Sequence, residues 1–465
     1  VNFRTKQYLR KRFSDYYQNC ELSMPPELAK REWGFIFFDE LPEVVMRRHK
    51  AFSSQSEALE YLRSMAPAHV YHSAAYYQIP GAATMKEKQW QGADLIFDLD
   101  ADHLPAKPKS YAEMLSNVKA ETLKLLDFLL DDFGFSEDSI SVVFSGGRGY
   151  HIHVRDPRVL TLESAERREI VDYLNGIGLS SDFLFKPAKH KVYDVGKFKK
   201  KEFQSSRKIA SFEEVQGGFG WGKRISKYLV HFLKDITTDE NADAVNKIID
   251  LIRDYNLKKA YANVPYDIAE HIIQKKNENH KIGVQRIADD VGVSAERVRD
   301  VLIANDLWDF KAEAAAKLKT IQKIARNPSS LEMIEYKGLI DDSYIFDAVV
   351  QKAIEDNSIA LGGAHTDEPV TADTRRLIRM ASSLHGGSGM KVVPLKLSEL
   401  GKFEPLSDAV VFSGKEIKIE VIPPLKPQNA AIEMKGKTFR VEEGINTLPE
   451  YAAIYLMCRG AAEYA

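Results

Sequence analysis

Apolar positions between Ser110 and Asp132 recur at Leu115, Val118, Leu125, Leu126 and Leu129, a helical period, and Gly134 stands where such a helix would stop. Two β-like runs flank it: GADLIFDLD (Gly92 to Asp100) upstream and SISVVFSGG (Ser139 to Gly147) downstream. Strand, helix and strand therefore follow in order, as in an α/β or α+β core. From about Thr237 to Asp356 the pattern turns helical, with Ile248, Ile249, Leu251 and Ile252 early and a Lys/Ala-rich stretch later. β-like runs return after His365 (KVVPL, AVVFSG, EIKIEVIPPL, TFRVEEG), before an apolar helix at Tyr451 to Leu456. The organisation expected is an α/β core in two parts, residues 1–236 and 357–465, interrupted by a helical insertion at 237–356.

Two segments carry helical patterns with a second reading. Val284 to Leu302 (VQRIADDVGVSAERVRDVL) has the alanine, turn glycine and second apolar helix of a helix-turn-helix. Its second helix offers Arg297 and Arg299 but also Glu296 and Asp300, which favours a packed αα-hairpin over a DNA-reading helix. Near the N-terminus, Lys6, Arg10, Lys11 and Arg12 interleave with Tyr8, Phe13, Tyr16 and Tyr17 at spacings that suit an amphipathic helix.

Composition narrows the class. In 465 residues, 44% hydrophobic and 28% charged content is ordinary for a globular protein and argues against extended disorder. Two cysteines, Cys20 and Cys458, are too few and too far apart for a disulfide scaffold or a CxxC metal site. No apolar run approaches the roughly 20 residues that span a bilayer, and the first residues are charged and aromatic where a signal peptide would be greasy. A cytoplasmic location, with no membrane partner, is expected. The 65 basic and 67 acidic side chains nearly cancel, so only local charge hints at nucleic acid. The densest basic cluster runs from Lys186 to Lys208, a stripe able to neutralise phosphates or simply to be a solvated face.

The sharpest chemical signal is DLIFDLDADH, where Asp98 and Asp100 end an apolar strand. Side chains alternate on a strand, so both carboxylates share one face with Cα atoms about 6.5 to 7 Å apart. Such a pair can hold divalent cations for an in-line phosphoryl displacement. A DxD also occurs in nucleotide-sugar transferases and in structural cation loops, so the motif alone leaves those open. The second signal is SGGRGYHIHV, Ser145 to Val154, at the end of the next apolar strand. Its glycines allow close backbone approach to a phosphate, Ser145 and Arg148 add donors, and His151 and His153 alternate onto one face. A tight glycine hairpin with an exposed arginine is the plainer alternative. Gly217 to Lys223 (GGFGWGK) has phosphate-loop spacing but places Arg224 where Ser or Thr must bind magnesium, and GxSxG and HExxH motifs are absent.

In this order and spacing, the two segments resemble the archaeo-eukaryotic primase family, its archaeal small catalytic subunits in particular. KREWGFIFF (Lys30 to Phe38), AAYYQIP, MKEKQWQGADLIFDLDADH and HTDEPVTADTRRLIRMASSLHGGSGMKVVPL (His365 to Leu395) extend the resemblance along the chain. It implies that Asp98 and Asp100 join Asp367, in a D-x-x-V-T pattern, as metal-binding carboxylates for two Mg2+ or Mn2+ ions. It implies further that Ser145, Arg148 and His151 contact an incoming nucleoside triphosphate, with Arg379 and His385 closing from the other side. Glu32 and Arg48 match weaker positions of the same cleft. The activity implied is primer synthesis on single-stranded DNA template, with a primase large subunit as partner. Many relatives carry a Cys/His zinc site just after the DxD segment; HLPAKPKSYAE has His103 and no cysteine, so zinc is not expected. A helix-turn-helix regulator and a DxD sugar transferase are the rival classes, and the second leaves Asp367, Arg379 and His385 without roles.

Overall fold

The computed structural model describes the chain apart from residues 1, 42, 102–107, 109, 192–202, 210–219, 239–240, 261–265, 306, 342–343, 360–369 and 425–429. It divides into two compact units, Val1–Asn175 with Ile359–Ala465, and Gly176–Ser358. The architecture is α/β.

The first unit opens with α1 (Phe3–Asn19), β1 (Trp33–Ile36), β2 (Arg47–Lys50), α2 (Gln55–Met65), β3 (His69–Ser73), β4 (Ala75–Tyr77) and β5 (Trp90–Ala93). It continues through β6 (Leu95–Asp100), α3 (Tyr111–Asp127), β7 (Ile140–Phe144), β8 (Gly149–Val154) and α4 (Ser164–Leu174). The periodic segment after Ser110 is indeed a helix: the Ser110 side chain caps it by accepting from the Glu113 N–H, and one wider turn, Phe128–Asp132, extends it. Gly134 follows in the left-handed region, at φ 62°. The basic N-terminal segment is α1, which buries Leu9, Phe13 and Tyr17 while Arg12 Nε lies 2.7 Å from Glu450 Oε1.

The second unit holds α5 (Ser181–Leu184), β9 (Phe185–Lys191), β10 (Phe203–Ile209) and, later in the chain, β11 (Leu339–Asp341), with β10 paired antiparallel to both other strands. A run of helices follows, including α6 (Gly220–Thr238), α7 (Asn241–Ala260), α8 (Tyr266–Glu278), α9 (Val284–Val291) and α10 (Ala295–Ala304). The helix-turn-helix segment is α9 and α10, turned at Gly292 (φ 74°) and capped by Ser294. Ile287, Ala288, Val298, Val301 and Leu302 bury against Ile272 of α8 in a small core of their own. Arg299 of the second helix is held by Glu313 at 3.1 Å, which answers its charge within the unit.

Returning to the first unit, β12 (Leu377–Arg379) joins β3, β1 and β2 in the order β12-β3-β1-β2, and β13 (Val393–Leu395) joins the sheet β13-β7-β8-β6. Both β6 and β7 run antiparallel to β8, so they are parallel to each other with β8 between and α3 as their connection. One face of β6, Leu95, Phe97 and Leu99, is buried. The other begins at Ile96, packed with Ala74 and Ile378, and then turns acidic.

What fixes the start of β6 is the buried Asp94. Its Oδ2 accepts from Arg31 Nη2 at 2.9 Å and Arg155 Nε at 3.2 Å, and its Oδ1 from the Tyr76 hydroxyl at 2.5 Å. Arg167, also buried, donates to the carbonyls of Asp94 and Ala93 at 2.8 Å each, and burial pushes its pKa down to about 10. Removing the carboxylate strands the buried guanidinium of Arg31 and takes the partner of the partly buried Arg155, so Asp94→Ala is expected to cost about 3 to 5 kcal/mol, read as a shift in urea denaturation.

Two buried histidines set a pH dependence. His72 and His153 are 3% and 2% exposed with ring centroids 6.2 Å apart, and burial first, then neighbouring arginines, hold both pKa values well below the ordinary imidazole value. The folded chain keeps them neutral while the unfolded chain protonates them below pH about 6.5. Their contribution is therefore complete above that pH and is lost as pH falls, at about 1.4 kcal/mol per pH unit for each. Urea midpoints measured from pH 7 to 5 are expected to decline, and less steeply in His153→Gln.

Candidate active site

Strand alternation and the β6–β8 register build the acidic face. Asp98 sits opposite His151 and Asp100 opposite Gly149, and directly paired residues of an antiparallel ladder share a face. Both carboxylates stay partly exposed, 22% and 33%, above an apolar strand interior. His151 Nε2 lies 3.4 Å from Asp98 Oδ1. Burial lowers the His151 pKa, opposed by the Asp98 charge, and its Nδ1 is buried with no hydrogen-bond partner. Arg148 Nη2 stands 3.5 Å from Asp100 Oδ2 and Arg376 Nη2 4.0 Å from Asp98 Oδ2, so cations already converge on the acids.

The turn from β7 to β8 is shaped by packing as well as by any ligand. Gly146 has φ 75°, in the left-handed region, and a Cβ there would lie 2.8 Å from His385 Cβ. At Gly149 a Cβ would lie 1.9 Å from the Leu99 carbonyl oxygen, so only glycine lets β8 approach β6 at this point. Ser145 Oγ accepts from the N–H groups of Gly147 and Gly149, both at 3.3 Å, leaving its own proton to be donated onward. The Tyr111 hydroxyl donates to the Gly147 carbonyl at 2.5 Å, and Ser388 Oγ donates to that of Gly146.

His385 faces this turn. Its Nδ1 accepts from the Gly387 N–H at 3.1 Å, so the neutral ring carries its proton on Nε2. Burial and then Arg379 hold its pKa well below the ordinary imidazole value. Asp98, Asp100, Ser145, Arg148, His151, Arg379 and His385 all line one cleft of about 710 Å3, whose far wall comprises Ile422 to Pro424 and Cys458 to Ala461. Seven of the residues singled out in the sequence thus meet in one place. Asp367 lies outside the described residues, as does His103.

Glu32 and Arg48 belong to a different setting, since they face each other rather than the cleft. Glu32 is wholly buried and accepts from Arg48 Nε at 3.1 Å, Arg48 Nη2 at 3.2 Å and the His49 N–H at 3.1 Å, with Lys88 Nζ at 3.6 Å. Burial works to raise its pKa, and these donors outweigh it, leaving the carboxyl below its usual value. In the second unit, the basic stripe is partly answered: Arg207 Nη1 lies 2.6 Å from Asp347 Oδ1, and Lys197, Lys199, Lys200 and Lys201 lie outside the described residues.

Arg376, Tyr111 and Ser388 escaped the sequence reading. Arg376 could be seen only as one of two adjacent arginines, and nothing local tells which of Arg375 and Arg376 reaches Asp98. Tyr111 opens α3 and Ser388 follows His385 by three residues, spacings with no diagnostic value until the turn is folded.

Residues 97–397 match a family model described as DNA primase small subunit. The chain belongs to the DNA primase small subunit family. It is 42% identical over 464 residues to the DNA primase small subunit PriS of Methanococcoides burtonii, covering 100% of both chains. The proteins of that name from Methanocella arvoryzae and Methanosarcina acetivorans are 43% and 44% identical, with 100% and 99% of this chain and 100% and 97% of theirs covered. The cleft lies within the family's matched segment, apart from its far wall beyond residue 397.

The carboxylate pair can accept a divalent cation on this geometry. Magnesium takes one or two carboxylates together with phosphate oxygens, and Asp98 and Asp100 are both partly exposed along the cleft. Among the described residues no group of three or more His, Cys, Asp or Glu side chains converges as a metal site, so the pair is the described part of any such centre. Because a Cβ at position 149 collides with backbone, Gly149→Ala in this primase-family chain should force β8 away from β6. Both a lower urea midpoint and weakened nucleotide binding are expected from that single substitution.

Proposed function

We propose that this chain is the catalytic subunit of a DNA primase, joining nucleotides into short primers on single-stranded DNA. The observation that carries the reading is the facing of Asp98 and Asp100 by Ser145, Arg148, His151, Arg379 and His385 around one cleft. Acids and phosphate donors along one cleft are what nucleotidyl transfer requires, since that chemistry depends on positioning and charge neutralisation more than on covalent catalysis. The family membership supports the same activity.

Asp98 and Asp100, with Asp367, would hold magnesium or manganese ions, which when bound activate the attacking 3′-hydroxyl and offset charge on the departing pyrophosphate. Arg148 and Arg379 neutralise the triphosphate. Neutral His385 donates through Nε2 and Ser145 through its hydroxyl, so they orient phosphate oxygens without adding charge that would compete with the cation for the acids. A primase large subunit is the expected partner, and the Lys186 to Lys208 stripe is the region suited to the nucleic-acid backbone. The catalytic core would be the unit Val1–Asn175 with Ile359–Ala465, around an insertion that begins at Gly176, earlier than the 237–356 expected from the sequence, in a protein working in the cytoplasm.

Primer synthesis on single-stranded DNA, by purified protein with and without large subunit and divalent metal, tests this reading. Wild type is expected to make product only with metal, and Asp98→Ala none; equal product from both ends the assignment. Arg148→Ala is expected to raise KM for the nucleotide about tenfold or more, the worth of one charge-assisted hydrogen bond.

A further inference from the structure

Arg379 reaches the cleft from β12, whose register on β3 sets it opposite Tyr71. Its guanidinium lies over the Tyr71 ring, 4.9 Å from the centroid, and its Nη1 is 2.5 Å from His69 Nδ1. Arginine has only protons to give, so His69 Nδ1 is the acceptor and the neutral ring carries its own proton on Nε2. Burial, and then the Arg379 charge, keep the His69 pKa well below the ordinary imidazole value, which preserves that acceptor. His69 and Tyr71 are two residues apart on β3, so they share a face and their rings lie near-parallel with centroids 6.1 Å apart. The His69 ring also meets His385 edge-on at 5.1 Å, and Gly386 leaves the room it occupies: a Cβ there would be 2.7 Å from His69 Nε2. Arg379 Nε is buried without a hydrogen-bond partner, a donor set aside while the rest of the group is tethered.

We propose that His69 and Tyr71 are positioning residues that hold Arg379 and His385 in their phosphate-binding geometry before substrate arrives. The proposal rests on the triphosphate reading of this cleft and adds to it the two residues that act through others. A mobile arginine would lose several rotamers on binding; one already seated on an aromatic face and anchored at Nη1 loses few, and affinity rises accordingly. Neither residue is offered as touching the reacting atoms.

The test is titration of the full-length protein with inorganic tripolyphosphate in magnesium buffer, followed by calorimetry, with urea denaturation of each variant alongside. His69→Ala is expected to weaken binding about tenfold. His69→Asn places Oδ1 the same number of bonds from Cα as Nδ1, so it restores an acceptor and is expected to recover most of the affinity, a rescue that a merely structural role would not give. Adding His69→Ala to Arg379→Ala is expected to weaken binding by less than the tenfold that His69→Ala costs in the wild type, because only the His385 contact is then left to lose. Wild-type affinity in His69→Ala overturns the proposal, and so does equal weakening in folded His69→Ala and His69→Asn. Should His69→Ala fail to fold, Tyr71→Leu decides: about threefold weaker binding supports the proposal and no change overturns it. Tripolyphosphate binding with no primer synthesis sinks the polymerase reading alone, whereas a wild type that binds no tripolyphosphate removes the ligand for which Arg379 is positioned and overturns both.

Discussion

The buried ion cluster at Asp94 is the constraint on which the site depends. Asp98 and Asp100 are useful only if β6 meets β8 in one register, because a slip of one residue would turn both carboxylates into the apolar face now filled by Phe97 and Leu99. Asp94 stands one residue before β6 and is gripped by Arg31, which precedes β1, by Arg155, which follows β8, and by Tyr76 on β4. Each of these contacts is charge-assisted, and the Arg31 contact is wholly buried, so it cannot be exchanged for water when the strand shifts. Arg167 adds a grip on the backbone itself. The register is thus held from both ends, by Asp94 at the start of β6 and by the close approach that Gly149 permits at its finish.

From that fixed strand the electrostatics of the cleft follow. Arg148 stands 3.5 Å from Asp100 and Arg376 4.0 Å from Asp98, and both carboxylates remain partly exposed to the cleft. Burial first, and Arg379 after it, lower the pKa values of His69 and His385 well below the ordinary imidazole value, while for His151 the Asp98 charge opposes that lowering. Charge in the cleft therefore comes from guanidinium groups, whose protonation does not vary with physiological pH, and the imidazoles serve as fixed donors and acceptors. Glu32 shows the opposite arrangement: wholly buried and surrounded by Arg48, Lys88 and the His49 N–H, it holds β1 to β2.

The second unit follows different rules. Its helices pack small cores such as that around Ile287 and Leu302, and arginines that might have faced nucleic acid, Arg299 and Arg207, are answered by Glu313 and Asp347. The helix-turn-helix pattern here coincides with a packing pattern, because alanine, a turn glycine and periodic apolar positions are what any tight αα-hairpin needs.

Sequence by itself determined whatever depends on neighbouring residues. The two-residue period of a strand put Asp98 and Asp100 on one face, the 3.6-residue period marked α3, and Gly134 marked its end, since backbone sterics act over a few residues. The glycine turn at 146–149 was legible for the same reason, although its Cβ-free positions serve His385 and Leu99 as much as any ligand. Tertiary structure decided which charges meet. Arg379 lies 310 residues from His69 and Arg155 lies 61 from Asp94, and no local rule selects Arg376 over Arg375 as the neighbour of Asp98. It also moved Glu32 and Arg48 into a pair of their own. Partner choice at such separations is settled by how whole sheets pack, where desolvation makes each buried charge find the one opposite group within reach.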